Sequence, residues 1–232
     1  MKLSIIVPVY NEEENICEVI AKIEETVKIP HELLIVNDHS SDKTGELALS
    51  LLKDYQNLSV VDNITDKGFA NALRFGFKSA KGDVFLPVMG DLCDDLNDIA
   101  QLYEKIKQGF DIACGSRYIH SGARKGGSAF KAFLSSFAGV STRFLIGIPT
   151  SDITNAFKMY RKEVIDSITT YSRGFEISME IPLKAYFMGY KITQIPTAWN
   201  ERTKGKSNFK VFKLMPAYLK LYFWAITRRI KG

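Results

Sequence analysis

Two hydrophobic rhythms alternate along the first half of this chain. Leu3 to Val9 is an apolar run of strand length, and Glu13 to Val27 then places Ile16, Val19, Ile20 and Ile23 at the spacing of a helix that buries one stripe. The pair recurs. A strand over Glu32 to Asn37 precedes the turn Asp38-His39-Ser40-Ser41-Asp42 and a helix over Thr44 to Leu52. A short strand over Leu58 to Val61 precedes an amphipathic helix over Asp66 to Ser79, stopped near Lys81-Gly82. Val84 to Met89 supplies another strand, Leu96 to Lys107 a helix and Ile112 to Ser116 a further strand. This order predicts an α/β fold, a mainly parallel central sheet flanked by helices.

The second half is less regular. Ser121 to Ser128, rich in Gly and in Arg124 and Lys125, reads as a mobile loop, and Phe130 to Phe144 mixes aromatic, small and basic residues at helical spacing. Pro149-Thr150-Ser151-Asp152 breaks that pattern before an apolar run at Ala156 to Tyr160. Leu214 to Ile226 is apolar and aromatic but contains Lys220, and its length of about 13 residues falls short of the ~20 that a spanning helix needs. Lys210, Lys213 and Lys220 share one helical face, and Arg228, Arg229 and Lys231 cap the end. Two readings stand for this amphipathic C-terminal helix: one lying in a lipid headgroup region, and one packing on the core with ordinary surface lysines.

The chemistry concentrates where the strand Val84 to Met89 ends, because Gly90 is followed by Asp91, Asp94 and Asp95. Open α/β sheets bind ligands at the carboxyl ends of their strands. Crowded carboxylates repel one another unless a divalent cation or polar partners offset the repulsion. A second reading of Asp94 and Asp95 is an acidic helix start ahead of Leu96.

Composition narrows the class. The 232 residues are enough for one well-cored domain, and hydrophobic and charged fractions of 46% and 25% indicate neither disorder nor a fibre. The net charge of +5 is uneven, with acids concentrated in the first half and Lys and Arg crowding Arg202 to Lys231. Such an end suits phosphate groups, nucleic acid or an anionic membrane surface. Nucleic acid fits least, because the aromatics cluster in an apolar run rather than alternating with basic residues. Cys17, Cys93 and Cys114 have neither metal-ligand spacing nor a disulfide framework, so reduced thiols are expected. The first strand is followed at once by Glu12, Glu13 and Glu14, too short an apolar region for a signal peptide.

No GxGxxG follows the first strand, which removes the main support for a dinucleotide site. Other motifs stand in order: Ile6-Val7-Pro8-Val9-Tyr10-Asn11-Glu12, Ile35 to Thr44 with Asn37-Asp38, and Gly68-Phe69-Ala70-Asn71-Ala72 through Gly82-Asp83. Later come Gly115-Ser116-Arg117-Tyr118, Ser151-Asp152-Ile153-Thr154-Asn155-Ala156-Phe157 and Glu176 to Ser207. In this order and spacing the chain resembles family 2 glycosyltransferases of the GT-A fold, and among these the dolichyl-phosphate mannosyltransferase type. The resemblance divides it into a GT-A domain over residues 1–208, with a nucleotide-binding half to about 115 and an acceptor half from about 116, and a C-terminal helix over 209–232.

By this resemblance Pro8, Tyr10, Glu12 and Lys67 border the nucleotide pocket and Asp38 helps hold base or ribose, although Pro8 also reads as a strand terminator and Asp38 as a helix cap. Asn37 stands where many relatives have an Asp. The family's Asp-x-Asp metal signature falls on Met89-Gly90-Asp91, so a thioether replaces the first acid. Thioethers are poor ligands for Mg²⁺ or Mn²⁺, which leaves Asp91, with Asp94 second, and diphosphate and water to complete the shell. Gly90 allows close approach of backbone and diphosphate. Arg117, and Arg202 with Lys206, match family regions that close over phosphates, and Arg202 is expected to share the stabilisation of the leaving group. Asp152 is placed near the reacting acceptor group, with Glu180 the other acid on that side.

The resemblance implies an inverting, metal-dependent transfer of mannose or glucose from GDP-mannose or UDP-glucose to a dolichyl or undecaprenyl phosphate. The expected location is cytoplasmic, peripheral on the cytosolic face of a membrane or held there by a membrane-anchored partner. Arg124, Lys125, Lys131 and Arg143 near the flexible segment favour the lipid phosphate, which is already anionic and needs cations more than a base. Transfer to a hydroxyl of a glycan or lipid-linked saccharide, and nucleotide-sugar binding without transfer, are the competing readings.

Overall fold

The computed structural model describes residues 1–119, 124–201 and 211–231. The chain begins β1 (Leu3–Val9), α1 (Ile16–Thr26), β2 (His31–Asn37), α2 (Thr44–Ser50), β3 (Leu58–Asp62), α3 (Phe69–Ser79) and β4 (Val84–Pro87). A 3-10 turn (Leu96–Asp98) leads into α4 (Ile99–Lys107), followed by β5 (Ile112–Ser116), β6 (Arg124–Lys125), α5 (Ala129–Ile146) and β7 (Lys158–Arg161). The remaining elements are α6 (Lys162–Ser167), α7 (Ile177–Phe187), β8 (Ile192–Pro196), β9 (Trp199–Asn200) and α8 (Val211–Lys231).

Seven strands form the main sheet in the order β3-β2-β1-β4-β7-β5-β8, all parallel except β7, which runs antiparallel to β4 and β5. The expected mainly parallel sheet is therefore present. After β3 the chain returns to the other side of β1, so the strand order reverses between β1 and β4, and a crevice opens beyond their carboxyl ends.

Pro8 sets the depth of that crevice. Ile6 accepts a bond from the Val88 N–H, and the next β1 residue on the same side is Pro8, which has no N–H with which to continue. β4 therefore ends at Pro87 rather than at the expected Met89, and the chain turns away through Gly90. A Cβ on Gly90 would lie 3.2 Å from Val9 Cγ1.

Both faces of the sheet are covered, and β1 alternates accordingly. Leu3, Ile5, Val7 and Val9 pack with Ile16, Val19, Ile20 and Ile23 of α1 and with Ile99, Leu102 and Ile106 of α4. Ile6 faces the other side, where Leu73 and Phe77 of α3, Ile177 and Ile181 of α7 and Ala225 of α8 pack. α3 lies so close to the sheet that a Cβ on Gly76 would come within 2.5 Å of Ile6 Cγ2. Gly82 belongs to the amino edge, away from the crevice: its N–H donates to Ser4 Oγ, which donates in turn to Glu32.

The C-terminal helix packs on the core, as the second of the two readings has it. Tyr218, Leu221, Tyr222, Trp224 and Ile226 pack on the core shared with α7, while Phe212, Met215, Leu219 and Phe223 face outward. Among the described residues no helix is long and apolar enough to cross a membrane.

Candidate functional site

Loops from the carboxyl ends of β1, β2 and β3 build one wall of the crevice. The loop after β1 is stitched to the loop after β2: Asn11 Oδ1 accepts from the Ser41 N–H at 2.8 Å, the Glu12 N–H donates to Thr44 Oγ1 at 2.8 Å, and the Lys43 N–H donates to Glu13 at 3.1 Å. Asn11 and His39 take left-handed backbone, φ 51° and 58°, and so does Leu92, φ 53°, in the loop after β4. For a branched side chain such as Leu this is costly, and strain of this kind gathers where backbone is held for function.

Asp38 is buried at the end of β2, with its carboxylate accepting from Asn63 Nδ2 at 2.8 Å and from the Gly68 N–H at 2.9 Å. It therefore fixes the start of α3 and the end of β3, and the cap of α2 falls to Asp42, which accepts from the Thr44 N–H. Lys67, next to Gly68, places Nζ 3.5 Å from the centroid of the Tyr10 ring, so two residues predicted to border the nucleotide meet across the crevice mouth. Glu12 and the carbonyl of Pro8 lie near Gly90, each 3.9 Å from where its Cβ would stand. Glu12 Oε2 also accepts from Asn15 Nδ2 at 2.6 Å.

The acid cluster after β4 divides by role. Asp95 caps the 3-10 turn through the Asn97 N–H at 3.0 Å, which answers the helix-start reading. Asp94 points inward instead. Burial, reinforced by the charge of Asp91, pushes its carboxyl up to about 7. Asp91 is half-buried and receives a 3.3 Å bond from the Cys93 N–H. Among the described residues no group of three His, Cys, Asp or Glu side chains can hold an ion. Two carboxylates, one driven towards the neutral form partly by the other, are still a donor set that a Mg²⁺-like cation accepts when diphosphate and water complete it. The residues present fit such a group.

A second cluster lies at the end of β5. Asp152 is fully buried, and both of its oxygens bind Arg117: Nε at 2.7 Å and the backbone N–H at 3.0 Å on Oδ2, Nη2 at 2.8 Å on Oδ1. Burial works against the Arg117 charge, but the carboxylate outweighs it and raises the guanidinium pKa further. Nη2 also reaches Ser135 Oγ on α5 at 3.5 Å, and the Tyr118 hydroxyl bonds the same Ser135. The loop holding Asp152 is tied down by Ser151, which bonds Gln194 and Ser116, and by Asn155 Nδ2, which donates to the Gly115 carbonyl at 3.0 Å. The two sequence motifs Gly115 to Tyr118 and Ser151 to Phe157 are thus one hydrogen-bonded unit. Asp152, expected beside the reacting group, has its carboxylate already engaged.

Glu180 is buried and receives the Tyr171 and Ser172 N–H groups and Lys184 Nζ, bonds that hold its carboxyl below the ordinary range against the effect of burial. It anchors a loop. Arg202 and Lys206, with Lys204, Ser207 and Lys210, lie outside the described residues, as do residues 121–123 of the predicted loop. Arg124 stacks over the Trp199 ring, 4.6 Å away, in the two-stranded β6–β9 sheet beside Asp94.

Sequence reasoning missed Lys158 and Glu176. Lys158 is fully buried in β7, and its signal was a cation inside the apolar run Ala156 to Tyr160. Glu176 is buried with Oε1 held by the Arg173 and Gly174 N–H groups, while Oε2 has no hydrogen-bond partner among the described residues.

α5 and α8 pack together and present a continuous outer face. Phe130, Phe133, Phe137, Val140 and Phe144 recur at three and four residues along α5, each more than half exposed. Phe130 stacks on Phe212 of α8 at 6.2 Å, joining this stripe to that of Phe212, Met215, Leu219 and Phe223. Neither helix carries an acid, whereas Lys131, Arg143, Lys213, Lys220, Arg228 and Arg229 lie along them.

The crevice at the switch point of this α/β sheet gathers acids at one strand end and a largely buried arginine at another. Residues 4–169 match the family model for glycosyl transferase family 2, and the chain belongs to that family. It is 33% identical over 232 residues to the dolichol-phosphate mannosyltransferase of Pyrococcus furiosus, covering 97% of this chain and 64% of that protein. It is also 28% identical to the polyprenol monophosphomannose synthase of Mycolicibacterium smegmatis, covering 97% of this chain and 88% of that one. Among solved structures it resembles glucosyl-3-phosphoglycerate synthase from Mycobacterium tuberculosis in complex with phosphoglyceric acid, with a TM-score of 0.75 at 16% identity over 97% of this chain and 80% of that one. The same enzyme with Mn²⁺, UDP-glucose and phosphoglyceric acid gives 0.74 at 16% identity, with the same coverage. The likeness to these structures shows the GT-A fold.

Proposed function

We propose that this chain transfers a hexose, mannose first, from a nucleoside diphosphate sugar to a polyprenyl phosphate at a membrane surface. The observation that carries this reading is the two-sidedness of α5. Its inner face holds Ser135 against Arg117, and its outer face is a stripe of exposed phenylalanines in acid-free, basic surroundings. An amphiphile with an anionic head and an isoprenoid tail needs a cation and an apolar surface side by side. The names of the two relatives support the same acceptor and sugar.

Lys67, Tyr10 and the walls fixed by Asp38 would hold the nucleotide, and Asp91 and Asp94 would hold a Mg²⁺ or Mn²⁺ ion at the diphosphate. Such a cation supplies Lewis-acid stabilisation of the departing nucleoside diphosphate. Arg117 orients the acceptor phosphate, and Asp152 keeps the guanidinium in place instead of removing a proton. A phosphate oxygen already anionic at neutral pH needs no base, so the engagement of Asp152 weighs against a hydroxyl acceptor. Single displacement at the anomeric carbon inverts it and gives a β-linked product. Arg202 and Lys206 belong to the same reading as further phosphate contacts, as does the peripheral, cytosolic-face location.

The test is incubation of the chain with Mn²⁺ or Mg²⁺, a short polyprenyl phosphate, and GDP-mannose or UDP-glucose in parallel, followed by mass spectrometry. A glycosyl-phosphoryl-polyprenol supports the reading and identifies the donor. Slow donor hydrolysis without lipid product moves the acceptor to a hydroxyl, and no turnover with either donor points to a binding protein.

A further inference from the structure

We propose that Lys158 is a positioning residue whose charge, added to the Arg117–Asp152 pair, gives the acceptor pocket its preference for an anion. This rests on the acceptor reading above and deepens it. Lys158 sits on β7 directly opposite Cys114 of β5 and is fully buried. Its Nζ donates to the carbonyls of Ile153 at 3.0 Å, Ser178 at 3.3 Å and Asn155. An ammonium group has three N–H donors and a neutral amine two, so three carbonyl acceptors select the charged form.

The charge arithmetic is local. Asp152 is buried and Arg117 nearly so, and their opposite charges offset, so the pair alone offers a phosphate hydrogen-bond donors but no net charge. Lys158 lies within electrostatic range of both, and of Asp94, and adds a positive charge to the pair. In a low-dielectric interior that charge acts over several ångströms with little screening. The same side chain works mechanically as well: Ile153 and Asn155 immediately follow Asp152, so the ammonium fastens the loop that aims Asp152 at Arg117.

Burying a cation is expensive, and burial pushes Lys158 down to about 8. A methionine would fill the space without that cost but would take the ammonium away from the carbonyls of Ile153, Asn155 and Ser178, so the lysine serves through its hydrogen bonds as well as its charge. The groups acting on it are Cys114, itself pushed up to about 11 by burial, together with Asp152, Arg117 and Asp94.

The test measures binding of citronellyl phosphate, a short isoprenoid phosphate, and of the alcohol citronellol to the full chain, with GDP or UDP binding as the control for folding. Lys158→Met is expected to weaken the phosphate about tenfold and leave the alcohol unchanged, and Lys158→Arg to recover part of the loss. Equal weakening of both probes would reduce Lys158 to a packing residue and overturn the proposal. Undiminished phosphate binding in a folded Lys158→Met chain would overturn it too. If the wild type binds neither probe, the acceptor reading fails first.

Should Lys158→Met not fold, Lys158→Gln gives the answer, because its amide can still donate to the carbonyls around it while carrying no charge. Affinity for the phosphate should fall several-fold while that for the alcohol holds. Undiminished phosphate binding in a folded Lys158→Gln chain would overturn the proposal.

Discussion

The two ends of the sheet's carboxyl edge are built from different materials. At the β1–β3 end the walls are mostly small polar side chains and backbone around one buried carboxylate: Ser41 donates to Asn11, the Glu12 N–H to Thr44, and Asn63 and Gly68 to Asp38. At the β5–β7 end the material is buried charge, with Arg117, Asp152 and Lys158 all withdrawn from solvent. The nucleoside part of a nucleotide is a large, uncharged polar object recognised by shape and hydrogen bonds, which a stitched frame suits. A phosphate head on a lipid offers one strong handle, its charge, and a pre-paired arginine meets it with little reorganisation. The acids at β4 lie between the two ends, where the leaving diphosphate and the incoming anion would both require charge control.

If the division is right, substitutions at the β4 acids should stop chemistry without loosening either end. Asp91→Ala should cut sugar-lipid formation by roughly 10³-fold, the scale of several kcal/mol of lost charge stabilisation. Its Tm should change little, because among the described residues Asp91 receives only the 3.3 Å bond from the Cys93 N–H. Comparable turnover in Asp91→Ala would remove the metal assignment.

Next in size is the β5 end. Arg117→Lys keeps the charge but gives up the fork that binds both Asp152 oxygens, and a point charge does not replace it. The KM for the lipid phosphate should rise by about 10–100-fold, with nucleotide binding retained by calorimetry. Asp152→Asn should show itself in the Tm, since leaving a buried guanidinium without its carboxylate costs about 3–5 kcal/mol. Were Asp152 a proton acceptor as well, its loss would also lower kcat steeply with a hydroxyl acceptor.

The same division explains how much of the fold is legible in the residues. β1 to β5 and α1 to α4 were legible because each buries one stripe or one run, and the pattern repeats. α7 escaped because its first turns are buried on every side and Pro182 interrupts it, so no amphipathic period exists to be read. The direction of β7 was invisible as well: Ala156 to Tyr160, Lys158 apart, is apolar enough for a strand, but pairing sense is chosen by partners β4 and β5. At the site, Tyr10, Lys67, Asp91 and Arg117 carried motif signals. Asp152 carried one too, but a motif does not say that its carboxylate is spent on Arg117. Lys158 lay outside the motif reading because its importance comes from burial, a tertiary property.

The outer face of α5 offers a third way to separate the ends. Phe133 and Phe137 are 65% and 58% exposed, so Phe137→Glu should leave Tm and nucleotide binding alone. It should weaken sedimentation with vesicles containing anionic lipid by about tenfold, the effect of withdrawing one aromatic side chain from an apolar phase. Turnover with a water-soluble short-chain acceptor should suffer less than turnover with a long-chain one. Unchanged vesicle binding would mean that this stripe faces something other than lipid.

The smallest effect concerns the acid that lies between the ends. Asp94 is pushed up to about 7 by burial and then by Asp91, so the folded state holds a proton that the unfolded chain releases near pH 4. A carboxyl raised in this way favours the folded state at low pH, and that contribution disappears as pH climbs from about 4 through about 7. In chelator, the Asp94 contribution should therefore lower Tm by a few degrees across that window, and Asp94→Asn should flatten it. Cation binding has the opposite sign, because a ligand must shed its proton first. The apparent affinity for Mn²⁺ should rise with pH up to about 7 and then level off, again less so in Asp94→Asn. An Asp94 that titrates near 4 in the folded chain would mean the carboxylate is solvated, and the boundary between the stitched and the charged ends would then have to be drawn at Asp91 alone.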